Sequence, residues 1–233
     1  MFKINKSTNR LEEIKSTTFS DHGYKERENL QEWIANSPSS LGEDLLIIQK
    51  EFSGFSETSE RLDLLALDKK GNLVIIENKL DDSGRDVTWQ ALKYASYCST
   101  LTKENIRQIY QSYLDINDPT SRSEDKLSEF YNGSDYDDIQ INSGAGQRII
   151  LIAAKFRKEV TSTVLWLLGF NIRIQCFKVL AFSMKDDVFI SLEQIIPTKD
   201  AEDFMISMAE KQKEDEGIQN HQTEKRNLQR RFW

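Results

Sequence analysis

The sequence predicts a mixed α/β fold, with a central mixed β-sheet flanked by helices. Three observations carry that expectation. Amphipathic helical patterns alternate with short apolar runs along the chain, the order seen when helices cover a sheet. Runs such as LVII at 73–76 and IILIAA at 149–154 are apolar on both faces, so they belong inside a sheet. A chain of 233 residues with only 3 prolines and 10 glycines is long enough, and regular enough, to bury a sizeable core.

Residues 1–24 read as an N-terminal extension. From 25 to 35, Leu30, Trp33 and Ile34 recur at helical spacing until Ser37-Pro38 ends the pattern; this short helix carries Glu26, Glu28 and Glu32. LLIIQKEF at 45–52 reads as a strand, and a loop with Gly54 follows. RLDLLALD, KKGN and LVIIENK then form a strong hairpin signal over 61–79. Asp86 is placed to cap a helix in which Val87, Ala91, Tyr94, Ala95 and Cys98 make one packed face. A second helix is expected over 103–114. Residues 115–143 form a polar, acidic insertion with one short helix at 126–131, ended by Asn132-Gly133.

Regular structure resumes with a buried strand at 148–156, a helix at 161–168 and a strand pair, 171–183 and 188–196, across the turn Met184-Lys185-Asp186-Asp187. The domain is thus read as residues 25–198. Beyond it, 199–233 is expected to be a charged helical tail or linker with a break at Gly217. An amphipathic pattern starts at Arg231-Phe232-Trp233, so the sequence reads as part of a longer protein with a further C-terminal domain.

Composition narrows the function. Cys98 and Cys176 lie in no CxxC or Cys/His cluster, which leaves a zinc site or disulfide framework unsupported and suggests a reducing, cytoplasmic setting. No apolar leader opens the chain, and no run approaches the roughly 18 apolar residues of a membrane span, so no membrane partner is expected. His22 and His221 are too few for a histidine-based site. Trp33, Trp89 and Trp166 fall in helical patterns and are expected to anchor packing. The net charge of -7 requires any nucleic-acid surface to be local, since affinity for phosphates comes from Lys and Arg.

The hairpin carries the chemistry. With Lys69, Lys70 and Gly71 as the loop and Gly71 at the position needing positive φ, Asp68 pairs with Asn72, and counting back sets Asp63 opposite Glu77. Opposed residues in an antiparallel pair have Cβ atoms about 4.5–5.5 Å apart, so two carboxylates share one face, an unfavourable pairing without a cation. Lys79 falls on the same face by the two-residue period, and Asn78 points away. Oxygen donors of this kind suit Mg²⁺ or Mn²⁺, with the Asn78 backbone carbonyl as an extra ligand. An isolated Glu-x-Lys triplet is more often a surface ion pair; the register of Asp63 and the helix that follows, with Gln90 and Tyr94 at i, i+4, argue for a site.

Glu28, Asp63, Glu77-Asn78-Lys79 and Gln90-Ala-Leu-Lys-Tyr94, over about residues 25–99, resemble the PD-(D/E)XK nucleases, in particular NucS-type endonuclease catalytic domains and RecB-like nuclease domains. The resemblance implies a restriction-endonuclease-like core and Mg²⁺-dependent hydrolysis of DNA phosphodiesters. It gives Asp63 and Glu77 the metal, Lys79 the attacking water, Glu28 a supporting role through water, and Gln90 and Tyr94 contacts that shape the site and meet phosphate. Leu62 stands in place of the namesake proline, Asn78 in place of an apolar residue, which suggests a less buried far side of that strand, and Glu60 in place of a usual glycine.

Further phosphate contacts are expected from Arg61, Arg85 and Lys93, and from the cluster Lys155, Arg157 and Lys158. A homodimer is compatible with the sequence. Two other functions remain open: a catalytically quiet nuclease-like domain serving as a nucleic-acid-binding or regulatory module, which the acidic balance favours, and a metal-dependent hydrolase of another phosphate ester.

Overall fold

A computed structural model describes residues 1–54, 60–144, 146–202 and 211, in two units, Met1–Ile196 and Pro197–Trp233. In the second unit residues 199–202 are helical, with the Glu202 amide donating to the Thr198 carbonyl at 2.9 Å. Apart from residue 211, the rest of the expected charged tail, including Gly217 and His221, lies outside the described residues.

The first unit contains, in order, β1 (Phe2–Asn5), β2 (Arg10–Glu13), β3 (Lys15–Thr17), a π turn (Glu26–Leu30) running into α1 (Gln31–Asn36), β4 (Leu45–Phe52), β5 (Leu62–Asp68) and β6 (Leu73–Asp82). There follow α2 (Val87–Cys98), α3 (Lys103–Asn117), α4 (Ser123–Phe130), β7 (Arg148–Lys155), α5 (Lys158–Leu168), β8 (Arg173–Met184) and β9 (Asp187–Ile196). Seven strands form one mixed sheet in the order β3-β8-β7-β6-β5-β4, with β9 also on β8. β4, β5 and β6 are antiparallel neighbours, and β6, β7 and β8 run parallel. The predicted class, a central mixed sheet flanked by helices, is the observed one.

The two-residue period of the strands divides the core. Leu65, Leu67, Leu73 and Ile75 pack with Ala91, Tyr94, Cys98, Ile106 and Val164 from α2, α3 and α5. Leu64, Ala66, Val74 and Ile76 pack on the other face with Leu30, Ile34, Phe177 and Val179. All seven residues of β5 are buried, and each large apolar side chain so covered contributes about 1.5–3 kcal/mol. Burial on both faces explains why the run reads as continuously apolar.

Four expectations are corrected. The N-terminal extension holds three strands: β1 pairs with β2, and β3 joins β8 of the main sheet. Their polar, mostly exposed sequences, such as RLEE and KST, carry no apolar alternation, so backbone pairing alone defines them. Trp89 and Trp166 are 69% and 63% exposed rather than packed. The buried stripes are Val87, Ala91, Tyr94 and Cys98 in α2 and Val160, Val164 and Leu167 in α5, and both tryptophans lie off them. Trp33 does pack, edge-on to Tyr24 with ring centroids 5.0 Å apart. Asp86 precedes α2 without a side-chain capping bond. Asn78 is fully buried, so the far side of β6 is not the open surface its polarity suggested.

The closed end of the β5–β6 hairpin is built tightly. The Gly71 amide donates to the Asp68 carbonyl at 3.0 Å and its φ is 80°, a conformation that disfavours any side chain. A Cβ there would also stand 2.0 Å from the Gln140 carbonyl oxygen. The expected register follows, with Leu67 opposite Leu73 and Leu64 opposite Ile76.

Candidate active site

The β5–β6 ladder ends at Leu64 and Ile76, and the same count sets Asp63 and Glu77 next in line. Asp63 is 5% exposed and Glu77 fully buried. Asp63 Oδ2 accepts the Asn78 amide at 2.7 Å. Among the described residues no side chain donates to either carboxylate oxygen of Glu77, and the Asp63 backbone amide is the one hydrogen-bonding group that lowers its pKa. Burial raises the Glu77 carboxyl, with Asp63 adding repulsion, up to about 9. Burial likewise raises Asp63 to about 6, against the opposing pull of Lys79 and the Asn78 amide. The pair shares one field, so its protons belong to both groups together.

Lys79 completes the constellation. Its Nζ donates to the Asn78 carbonyl at 2.9 Å and to Glu26 Oε1 at 3.1 Å. Burial works against the ammonium, but Asp63, Glu26 and Glu77 together raise its pKa and hold it protonated. Glu26 Oε2 also accepts the Leu80 amide at 3.1 Å, so this one side chain fixes both the lysine and the strand that carries it. From the same segment Gln31 Nε2 donates to the Asp63 carbonyl at 3.2 Å. The turn and the first residue of α1 are therefore tied to β5 and β6.

The acid from this segment is Glu26, not the expected Glu28. Glu28 pairs with Lys25 at 2.8 Å, and both side chains are 66% exposed. The signal was present in the sequence: Glu26 lies four residues before buried Leu30, on the face that packs, while Glu28 lies two residues before it and points outward.

Gln90 and Tyr94 meet as the i, i+4 spacing implied, with Gln90 Nε2 donating to the Tyr94 hydroxyl at 3.0 Å. The hydroxyl donates in turn to the Arg61 carbonyl at 3.0 Å, tying α2 to the start of β5. Burial raises the Tyr94 phenol, which stays protonated. Among the basic residues expected to meet phosphate, Lys93 is ion-paired with Glu60 and Arg157 with Asp82. Arg61, Arg85, Lys155 and Lys158 are exposed.

Among the described residues no group of three or more His, Cys, Asp and Glu gathers to hold a metal ion. The hard oxygen donors that could hold an ion here are the carboxylates of Asp63 and Glu77; the Asn78 carbonyl, the further expected ligand, accepts from Lys79 Nζ. Two buried oxygens on Glu77 without a side-chain donor fit a divalent cation, since an unpaired buried carboxylate is costly in any other form than protonated.

No family model and no curated protein matches the chain. Among solved structures it is similar to a repair endonuclease from Pyrococcus abyssi, at 19% identity and a TM-score of 0.31, over 66% of this chain and 48% of that one. It is also similar to the protein in the EndoMS–dsDNA2 complex, at 16% identity and a TM-score of 0.34, over 72% of this chain and 47% of that one. The chain spans about half the length of these structures.

Proposed function

We propose that the chain is a nuclease that hydrolyses DNA phosphodiester bonds with Mg²⁺ or Mn²⁺ held by Asp63 and Glu77. The observation that carries this reading is Glu77, fully buried beside a second carboxylate, with no side-chain donor on either oxygen among the described residues. A bound divalent cation would polarise a phosphate oxygen and lower the pKa of a water molecule at neutral pH. The protein supplies the rest. Asp63 is fixed by the Asn78 amide, and Lys79, kept charged by its carboxylate neighbours, stabilises negative charge building on the phosphate and orients the attacking water. Glu26 holds Lys79 in place. DNA as the substrate follows from the resemblance of the hairpin and α2 motifs to nuclease domains.

A second reading, a catalytically quiet module that binds nucleic acid or regulates, is favoured by the charge of -7 and by the engagement of Lys93 and Arg157 in ion pairs. Calorimetric titration with Mn²⁺ and Mg²⁺, followed by cleavage assays on single-stranded, duplex, mismatched and branched DNA, separates the two. Catalysis requires uptake of the ion, and cleavage lost by about 10²–10³-fold or more in Lys79→Ala and Asp63→Ala with unfolding cooperativity retained. Undiminished cleavage by both variants refutes the assignment; absence of ion uptake favours the quiet module.

A further inference from the structure

The edge strand β4 brings another carboxylate to this site. Lys50 pairs with Leu64 and Phe52 with Leu62, so Glu51 between them is level with Asp63, as Asp63 is with Glu77. Three acids thus stand abreast on three adjacent strands, although like charges set side by side in a sheet repel. Glu51 has a φ of 51°, a left-handed conformation that costs free energy in any residue with a Cβ. Both of its carboxylate oxygens are buried without a hydrogen bond, and its side chain is 24% exposed. The Arg27 guanidinium, next to Glu26, lies 3.2 Å from Glu51 Oε1 as an ion pair. Strain, repulsion and unsatisfied oxygens coincide at one residue, and packing explains none of them. Independently, Glu77 is fully buried with no side-chain donor on either oxygen among the described residues, an arrangement that a cation facing the acids would satisfy.

We propose that Glu51 is a third carboxylate of the site, holding water bound to the cation rather than the cation itself, with Arg27 as its counter-charge. The inference rests on Asp63 and Glu77 being the cation's ligands. Contact through water follows from two facts. The acids do not converge as a group of three on one ion, and Mg²⁺ keeps several of its waters, which then need acceptors. Glu51 is an acceptor at the right strand position, with Oε1 facing Arg27 and neither oxygen taken by a hydrogen bond among the described residues, and Arg27 limits the repulsion it exerts on Asp63.

The test uses Glu51→Gln and Glu51→Gly in the full chain, with melting temperature in EDTA and Mn²⁺ affinity by calorimetry as readouts beside cleavage. Glycine is at ease at this φ, and the like charge is gone, so Glu51→Gly should melt at or above the wild-type temperature. Mn²⁺ binding by both variants should nonetheless weaken by about tenfold or more, the usual effect of losing a partner one step removed from a metal. Opposite movement of stability and affinity is a result that a structural glutamate does not give. Mn²⁺ affinity equal to wild type in both variants, whatever the melting temperature, overturns the proposal. Absence of Mn²⁺ uptake by the wild type overturns the reading of Asp63 and Glu77, and this inference with it.

Discussion

Asp63 and Asp68 lie five residues apart on one buried strand, and their surroundings are opposite. Asp68, at the closed end of the hairpin, accepts the Lys70 and Asn72 amides at 2.9 Å each, the Asn72 side chain, and Arg148 Nη1 at 3.0 Å. Although burial acts against its charge, these bonds to Asn72 and Arg148 hold its carboxyl below the usual range. Arg148 also reaches Glu43 and Gln175, so every group of that network has a partner. Asp63, at the open end, has one amide at 2.7 Å, and its neighbour Glu77 has no side-chain donor among the described residues, only the Asp63 backbone and the field of Lys79 acting for its charge. Burial alone therefore does not mark a functional carboxylate. What marks it is burial left short of partners, which the protein tolerates at one end of the hairpin and removes at the other.

The largest expected effect breaks the closed end. Arg148→Ala removes the cation of Glu43 and the nearer of the two cations of Asp68, leaving Arg173 at 4.0 Å, and loss of one member of a buried ion pair costs about 3–5 kcal/mol. Denaturant unfolding should record a drop of that order, while Mn²⁺ affinity of the folded fraction stays at the wild-type value. Arg148→Met removes the charge but keeps volume, and still takes the guanidinium from Asp68 and Glu43, so it should also destabilise. A matching loss of ion binding in these variants would show that the two ends are not independent.

Next in size is a dependence on pH, with opposite signs at the two ends. Asp63 and Glu77 bind protons more tightly folded than unfolded, so the stability they contribute is complete at low pH and disappears as pH rises through about 6 and then about 9. Asp68 is the reverse: its contribution is present above the ordinary carboxylate range and is lost on acidification. In EDTA the melting temperature should fall between pH 5 and pH 9, and Glu77→Gln should remove much of that slope. Mn²⁺ should restore stability most at the alkaline end, where both carboxylates are ionised. A flat profile in EDTA would mean that Glu77 is satisfied in solution.

How much of this was legible in the sequence depends on how local the signal was. The hairpin register could be counted because Gly71 fixes the turn, and a buried strand cannot slip by one residue without inverting its faces. β4, β6, α2 and β7 were readable because their signals are local too, a continuous apolar run in each strand and a helical apolar period in α2. The strands at the start of the chain were not, since the pairing of β3 with β8 joins residues far apart in sequence and depends on no side-chain pattern. Glu51 also escaped notice. Its relation to Asp63 passes through a shift in the β4–β5 register between Ile47 and Gln49, and no residue type announces such a shift. Arg148 carries no local signal either, because its three partners come from three other segments.

The smallest effect distinguishes the two glutamates of the first helical turn. Glu28 is exposed and paired only with Lys25, its neighbour in the same turn, so Glu28→Gln should change stability by no more than about 0.5 kcal/mol and leave cleavage intact. Glu26→Gln retains an acceptor for the Leu80 amide but gives up the charge beside Lys79. Cleavage should then fall by about 10–100-fold, the usual result of loosening a group one step from the reacting atoms. With Lys79 less firmly held in its charged form, the loss should grow toward high pH. Equal behaviour of the two variants would remove Glu26 from the site and leave Lys79 to be positioned by the Asn78 carbonyl alone.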